Sequence, residues 1–191
     1  MARSRRPDIA GATHHVTARG NGRQTVFRDD ADRRAFLRLL REVIERWEWK
    51  CLTYCLMDNH FHLLVTTPEP TLAVGMQRLN GRYAQHFNAR HRQSGHLWQG
   101  RYHSELVERD PHLLEAIRYI ALNPVRSGLC ERPEAWRWGA HRALAGLEPA
   151  AFVALPETLG YFASNGGVGR VRYRAFIDSA VEDLTQFLKG V

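Results

Sequence analysis

The chain has 191 residues, enough for one domain of fair size with an appendage, and 44% of them are hydrophobic, enough for a real core. Its formal charge is +7, and of its 27 basic residues only Lys50 and Lys189 are Lys, the rest being Arg. Three cysteines (Cys51, Cys55, Cys130) without zinc spacing exclude a disulfide framework and predict a reducing, cytoplasmic setting. No apolar run predicts a membrane span, and none follows the basic start to predict a secretory leader.

Residues 1–12 read as a basic N-terminal arm in which Arg3, Arg5 and Arg6 either reach a groove or belong to a disordered segment. Residues 13–18 read as a short strand, and Arg19-Gly20-Asn21-Gly22-Arg23 as a turn with two cations. Phe36, Leu37, Leu40, Val43, Ile44 and Trp47 recur at intervals of 3 and 4 and predict an amphipathic helix over about 30–48. Residues 50–57 and 60–67 predict two strands joined by a tight turn at Asp58-Asn59. Pro68 and Pro70 break the second strand, and Leu72, Met76, Leu79, Tyr83 and Phe87 mark a helix over about 71–91. A polar and aromatic stretch, Ser94 to Arg101, leads into a strand near 102–108. Asp110-Pro111 starts a helix that is expected to stop at Asn123, because Pro124 disfavours helical geometry in its predecessor. A last helix is expected over about 170–188.

The order β-α-β-β-α-β-α predicts an α+β fold: a ferredoxin-like antiparallel sheet of split β-α-β type, with helices on one face. Residues 13–148 form the expected main domain and 149–191 a C-terminal extension carrying the terminal helix. From 149 onward Arg170, Arg172, Arg174 and Lys189 balance Glu157, Asp178, Glu182 and Asp183, so all of the +7 lies in the first 148 residues. Arg suits bidentate contact with phosphate and base edges, so that part is expected to meet a polyanion.

The most informative string is Cys55-Leu56-Met57-Asp58-Asn59-His60-Phe61-His62-Leu63-Leu64-Val65. In a strand, successive side chains point to opposite faces, so His60 and His62 share one face while Phe61, Leu63 and Val65 enter the core. Two imidazoles side by side are half of a metal site. On the helix 111–123, Leu113, Ala116, Ile117, Ile120 and Ala121 form the packing face, and Tyr119 and Asn123 lie one turn apart off it. If that helix covers the histidine face, Asn123 supplies a third ligand and Tyr119 points its hydroxyl at what the metal holds. Such a ligand set suits Mg²⁺ or Mn²⁺. A tyrosine hydroxyl, with a pKa of about 10, is a poor nucleophile at neutral pH, and a metal that polarises a phosphate can make up that deficit.

Arg19, Asn21 and Arg23 read as nucleic-acid contacts. Trp98 and Arg101 read either as a stacking ring with a phosphate-binding cation or as a core ring beneath a loop.

Four separated strings carry a resemblance: His15-Val16-Thr17-Ala18-Arg19-Gly20-Asn21, the His60-Phe61-His62 string, Gly95-His96-Leu97-Trp98-Gln99-Gly100-Arg101-Tyr102, and Arg118-Tyr119-Ile120-Ala121-Leu122-Asn123-Pro124-Val125-Arg126-Ser127-Gly128-Leu129. Over about 13–145 the chain resembles the single-tyrosine HUH transposases, and most of all the REP-associated tyrosine transposases of bacteria. The resemblance implies an HUH fold and single-stranded DNA cleavage and rejoining beside palindromic hairpins, with a divalent metal. It implies His60 and His62 as the metal pair, Tyr119 as the nucleophile forming a 5′-phosphotyrosine, and Asn123 as the helix-borne ligand. Monomer and homodimer both remain open. The alternative is a domesticated hairpin-binding protein that has lost transposition.

Overall fold

The computed structural model describes residues 8–108 and 110–189; the arm cations Arg3, Arg5 and Arg6 lie outside the described residues. Four strands, β1 (Ala12–Arg19), β2 (Lys50–Leu56), β3 (His60–Thr67) and β4 (His103–Val107), form one sheet in the order β2-β3-β1-β4. Two long helices, α1 (Asp30–Trp47) and α2 (Leu72–His91), alternate with them. This is the predicted α+β arrangement. Each β-α-β crossover skips one place, and the strand that fills the gap runs antiparallel, as β1 does to both β3 and β4. Further along lie α3 (Asp110–Arg126), α4 (His141–Leu144), α5 (Leu155–Gly160) and α6 (Gly166–Lys189). None of the helices among the described residues is long and apolar enough to cross a membrane.

The chain divides into two compact units, one of residues up to Lys50 with Leu56–Glu108, the other of Cys51–Cys55 with residues from 109 onward. In the first, α1 and α2 pack on the sheet face that carries Phe61. Phe36 meets the rings of Phe61 and Tyr83 with centroids 4.7 and 5.1 Å apart, and Phe27 closes the cluster. The buried Tyr83 hydroxyl donates to the Val26 carbonyl at 2.5 Å, so its burial leaves no polar atom stranded. Asp29 caps α1 by accepting from the amides of Ala31 and Asp32. Buried Asp32 takes the Arg28 amide, the Arg90 guanidinium at 2.5 Å and the His91 imidazole at 2.9 Å, tying the start of α1 to the end of α2. Burial of that carboxylate is tolerable because it is paired on several sides.

In the second unit, the C-terminal part of the chain covers the edge of β2. The Ala154 amide donates to the Cys51 carbonyl and the Ala140 amide to that of Tyr54, both within 2.9 Å, and the Thr158 hydroxyl donates to Leu52. A bare strand edge is an aggregation hazard, and these bonds remove it. α6 packs on α3 and α5, with Tyr173 and Ile177 fully buried and the Tyr173 hydroxyl 2.8 Å from His141 Nδ1.

Three features depart from the sequence-based expectation. First, α3 runs past Asn123 to Arg126 with Pro124 inside it. The helix stops instead at Gly128, whose φ of +68° is left-handed. The Leu129 amide reaches the Pro124 carbonyl and the Gly128 amide that of Val125, the bond pair of a Schellman cap. Pro124 removes one amide near the helix end, where little of the ladder remains to be lost. Second, α6 begins at Gly166 rather than near 170 because the Asn165 side chain accepts from the Gly167 and Val168 amides and caps it. Third, α4 and α5 are too short to show a periodicity.

Two glycines of α2 have opposite surroundings. A Cβ on Gly75 would sit 2.3 Å from the Trp49 ring, so only glycine lets that indole lie against the helix and donate to the Thr71 hydroxyl. A Cβ on Gly81 would meet nothing. Denaturant unfolding should therefore show Gly75→Ala destabilised by roughly 1–3 kcal/mol through overpacking. Gly81→Ala should be stabilised by about 1 kcal/mol through helix propensity.

Candidate functional site

The register of β1 on β3 sets Arg19 opposite His60, Thr17 opposite His62 and His15 opposite Leu64. Paired residues share a face, so His60, His62, His15, Thr17 and Arg19 lie together on the face away from α1 and α2. β4 extends that face with His103, paired to Thr17, and Glu105, paired to His15. The two histidines singled out in the sequence are thus brought together, their ring centroids 5.0 Å apart. His62 is 5% exposed.

Both imidazoles are fixed through Nδ1. His60 Nδ1 lies 2.7 Å from Asn59 Oδ1, an acceptor, so Nδ1 carries the proton. His62 Nδ1 lies 3.0 Å from His15 Nε2. With its Nδ1 protonated, His60 has Nε2 as its ligating atom, and in both rings Nδ1 is oriented by a neighbour. Burial, then the Arg19 charge, holds the His60 pKa down to about 4. Burial, then His15, His60 and Arg19, drives that of His62 well below the usual value. Both rings are therefore neutral at physiological pH, as ligation requires. The two imidazoles can give a divalent cation two donors; among the described residues no group of three His, Cys, Asp or Glu comes together around one.

His15, which the sequence patterns do not single out, meets His62 on this face. Alternation within β1 puts it on the same side as Thr17 and Arg19, but only the β1–β3 register brings it to His62.

The predicted nucleic-acid residues of the first unit gather where β1 ends. The Asn21 amide donates to the Leu97 carbonyl and the Gln99 amide to that of Arg19, each at 2.8 Å, which fastens the 97–101 loop to the end of β1. Arg19, Asn21, Arg23 and Arg101 are exposed. Trp98 is only 9% exposed. Its ring meets Phe61 and Tyr83, and its indole N–H donates to the Asn80 carbonyl at 3.0 Å. Of its two readings, the geometry gives the core ring beneath a loop.

Tyr119 and Asn123 belong to α3 in the second unit, one turn apart as expected. Leu113, Ala116, Ile117, Ile120 and Ala121 are buried. Tyr119 is 41% exposed, with the Arg126 guanidinium 5.3 Å from its ring centre, and Asn123 is 6% exposed. Arg118 pairs with Glu115 at 2.6 Å and lies over Phe176 of α6.

The family model of the IS200-like transposases matches residues 9–123, which includes β1 to β4 and α3 through Asn123. The chain belongs to this family. A Haemophilus influenzae protein named as a candidate REP-associated tyrosine transposase is 27% identical over 115 residues. That alignment covers 53% of this chain and 65% of the relative, so the chain spans just under two thirds of its relative's length. Among solved structures, a REP-associated tyrosine transposase bound to a REP hairpin is similar with a TM-score of 0.67 at 20% identity, covering 78% of this chain and 89% of that one. Its likeness supports the fold.

The suppressed histidine pKa values have a stability consequence. In the unfolded chain a histidine titrates near 6.5. His14, His60, His62 and His141 are all held below that, chiefly by burial. The unfolded state thus takes up protons first, and the stabilisation present above about pH 6.5 is lost as pH falls toward 4. Asp29, held down to about 2 by Arg90, adds a further loss of stability below its unfolded value near 4. Denaturant midpoints in chelator, measured from pH 8 to pH 4, should fall steadily below about pH 6.5; a flat profile would contradict the buried neutral rings.

Proposed function

We propose that this transposase cuts and rejoins single-stranded DNA beside palindromic hairpins through a 5′-phosphotyrosine on Tyr119. His60, His62 and Asn123 would hold Mg²⁺ or Mn²⁺. Residues 13–148 would be the transposase domain and 149–191 the extension. The observation that carries the reading is the pair of imidazoles, His60 and His62, side by side on the sheet face away from α1 and α2 in a chain that belongs to the IS200-like family. The hairpin substrate is suggested by the REP hairpin in the similar solved structure.

The bound metal supplies Lewis acidity at the scissile phosphate. Every other part is played by the chain itself. Asn59 and His15 would orient the two rings through Nδ1. Arg19 and the exposed cations near it draw the phosphate backbone to the same side of the sheet. Tyr119 attacks phosphorus: the phenolic oxygen bonds to it, the bond to the departing 3′ oxygen breaks, and that oxygen leaves as a hydroxyl after taking up a proton. Arg126, beside the Tyr119 ring, would meet the charge of a phosphate held there. The covalent ester keeps the strand's 5′ end activated, so a second 3′-hydroxyl can reverse the step and join a new strand.

Tyr119→Phe should bind a hairpin with single-stranded flanks as the wild type does yet give no covalent adduct on denaturing gels with end-labelled DNA. The wild-type adduct should carry the label of the 5′-phosphate side and map to Tyr119. Replacing His60 and His62 by Ala, or adding chelator, should reduce cleavage to background. An adduct in Tyr119→Phe, or unchanged cleavage in chelator, would refute the assignment.

A further inference from the structure

Asn59 has three polar groups engaged at once. Its backbone carbonyl accepts from the Gly20 amide at 2.8 Å. Its side-chain Nδ2 donates to the Arg23 carbonyl at 3.2 Å, and its Oδ1 lies 2.7 Å from His60 Nδ1. The first of the side-chain contacts fixes the second. A carbonyl oxygen can only accept, so the end of the amide that faces Arg23 is the NH₂ and the end that faces His60 is the oxygen. That oxygen carries no proton, so the proton of the contact belongs to His60 Nδ1. The backbone of Arg23 thus dictates, through one amide, which nitrogen of His60 is free to bind a metal.

An independent observation concerns the backbone of Arg23 itself. Among the described residues Arg23, Glu48 and Arg92 have positive φ without being glycine. Glu48 and Arg92 close the long helices α1 and α2, where a left-handed residue is usual. Arg23 ends no long helix. Its φ of +62° follows the +58° of Gly22, a conformation that side chains disfavour and glycine accepts freely. Such a residue persists only where its surroundings hold it, and such residues gather at functional sites. The holding contacts are the Asn59 amide, the Arg23 amide on the Gly20 carbonyl and the Gln24 amide on the Asn21 carbonyl, the last two at 3.0 Å. Glycine would serve the turn better at 23, as it does at 22. An arginine kept there at a cost in backbone geometry points to a use for its exposed cation.

We infer that Asn59 is a positioning residue with two arms: its oxygen orients His60 toward the metal, and its NH₂ holds the strained turn from which Arg23 meets the DNA backbone. The inference rests on the reading of function above. One short side chain then sets the distance between the strand-binding turn and the metal-facing ring, so a phosphate drawn to Arg23 is held in a fixed place relative to His60 Nε2. The chemistry of the amide makes the two arms separable. Aspartate would keep an oxygen for His60 but set a second oxygen against the Arg23 carbonyl, where nothing can be donated. Alanine would remove both arms and leave the backbone bond from Gly20 in place.

The test uses the full chain as wild type, Asn59→Ala and Asn59→Asp, each with and without Arg23→Gly. Long-range ¹H–¹⁵N spectra in chelator read the His60 tautomer. The wild type and Asn59→Asp should show the Nδ1–H form, and Asn59→Ala a large share of the Nε2–H form. Titration with Mn²⁺ should show affinity falling about 10-fold in Asn59→Ala, as for loss of a ligand's outer partner, and not falling in Asn59→Asp. Binding of a hairpin oligonucleotide in chelator isolates the second arm. Asn59→Ala should weaken it about 3- to 10-fold, the range of one hydrogen bond. In Arg23→Gly, where glycine holds the turn unaided, the same change should have almost no effect. If Asn59→Ala does not fold, Asn59→Asp carries the cycle, because its added charge acts alike in both backgrounds and cancels. A wild-type tautomer in Asn59→Ala refutes the first arm, and an equal loss of DNA binding with and without Arg23→Gly refutes the second; either result overturns the inference. A wild type that binds no Mn²⁺ and does not prefer the hairpin to a duplex overturns the functional reading, whatever the tautomers, and the inference with it.

Discussion

The pairing of β1 with β3 is the constraint on which the rest depends. With Arg19 opposite His60 and Thr17 opposite His62, the two imidazoles face away from the helices and share their surface with His15. A slip of one residue would turn them into the Phe36–Tyr83 core and bring Phe61 out. Several contacts hold the register. At one end the Gly20 amide donates to the Asn59 carbonyl and the Val26 and Phe27 amides both donate to that of Asp58. Arg33 meets the Asp58 carboxylate at 2.5 Å. At the other end Thr13 and Thr66, a directly opposed pair, join hydroxyls at 2.8 Å. Asp58 and Asn59 therefore make the hairpin turn, anchor the chain leaving β1 and, through Asn59, orient His60.

Electrostatics gives that face its character. Burial and neighbouring positive charge make protonation of His60 and His62 unfavourable. The rings thus remain neutral nitrogen donors beside the exposed Arg19. The cost of packing these polar groups is offset on the other face, where aromatic rings interlock and the Asp32 network joins the two helices.

Much of this was legible in the sequence, and the rest failed for identifiable reasons. Period-2 alternation around His60-Phe61-His62 separates imidazoles from core without any structure, and β3 begins and ends where that pattern says. The strand order follows from the succession of elements, because a split β-α-β unit leaves a fixed gap to fill. His15 escaped notice because cross-strand contact depends on register, which one strand's pattern does not contain. Trp98 could be read two ways because a glycine-flanked loop says little about which side of it a ring occupies. Pro124 misled because its helix is ended by a left-handed glycine four residues later, and α6 starts earlier than expected because Asn165 caps it.

The central claim is that His60 and His62 stand neutral at physiological pH, each protonated on Nδ1 and presenting Nε2 to a divalent metal. Long-range ¹H–¹⁵N correlation spectra of histidine-labelled protein at pH 7 test it directly, with assignment by single substitution and a trace of Mn²⁺ added in a second experiment. The account predicts the Nδ1–H tautomer for both rings and selective broadening of their Nε2 signals by Mn²⁺. An Nε2–H tautomer or an imidazolium at either position, or broadening that spares both rings, would contradict it.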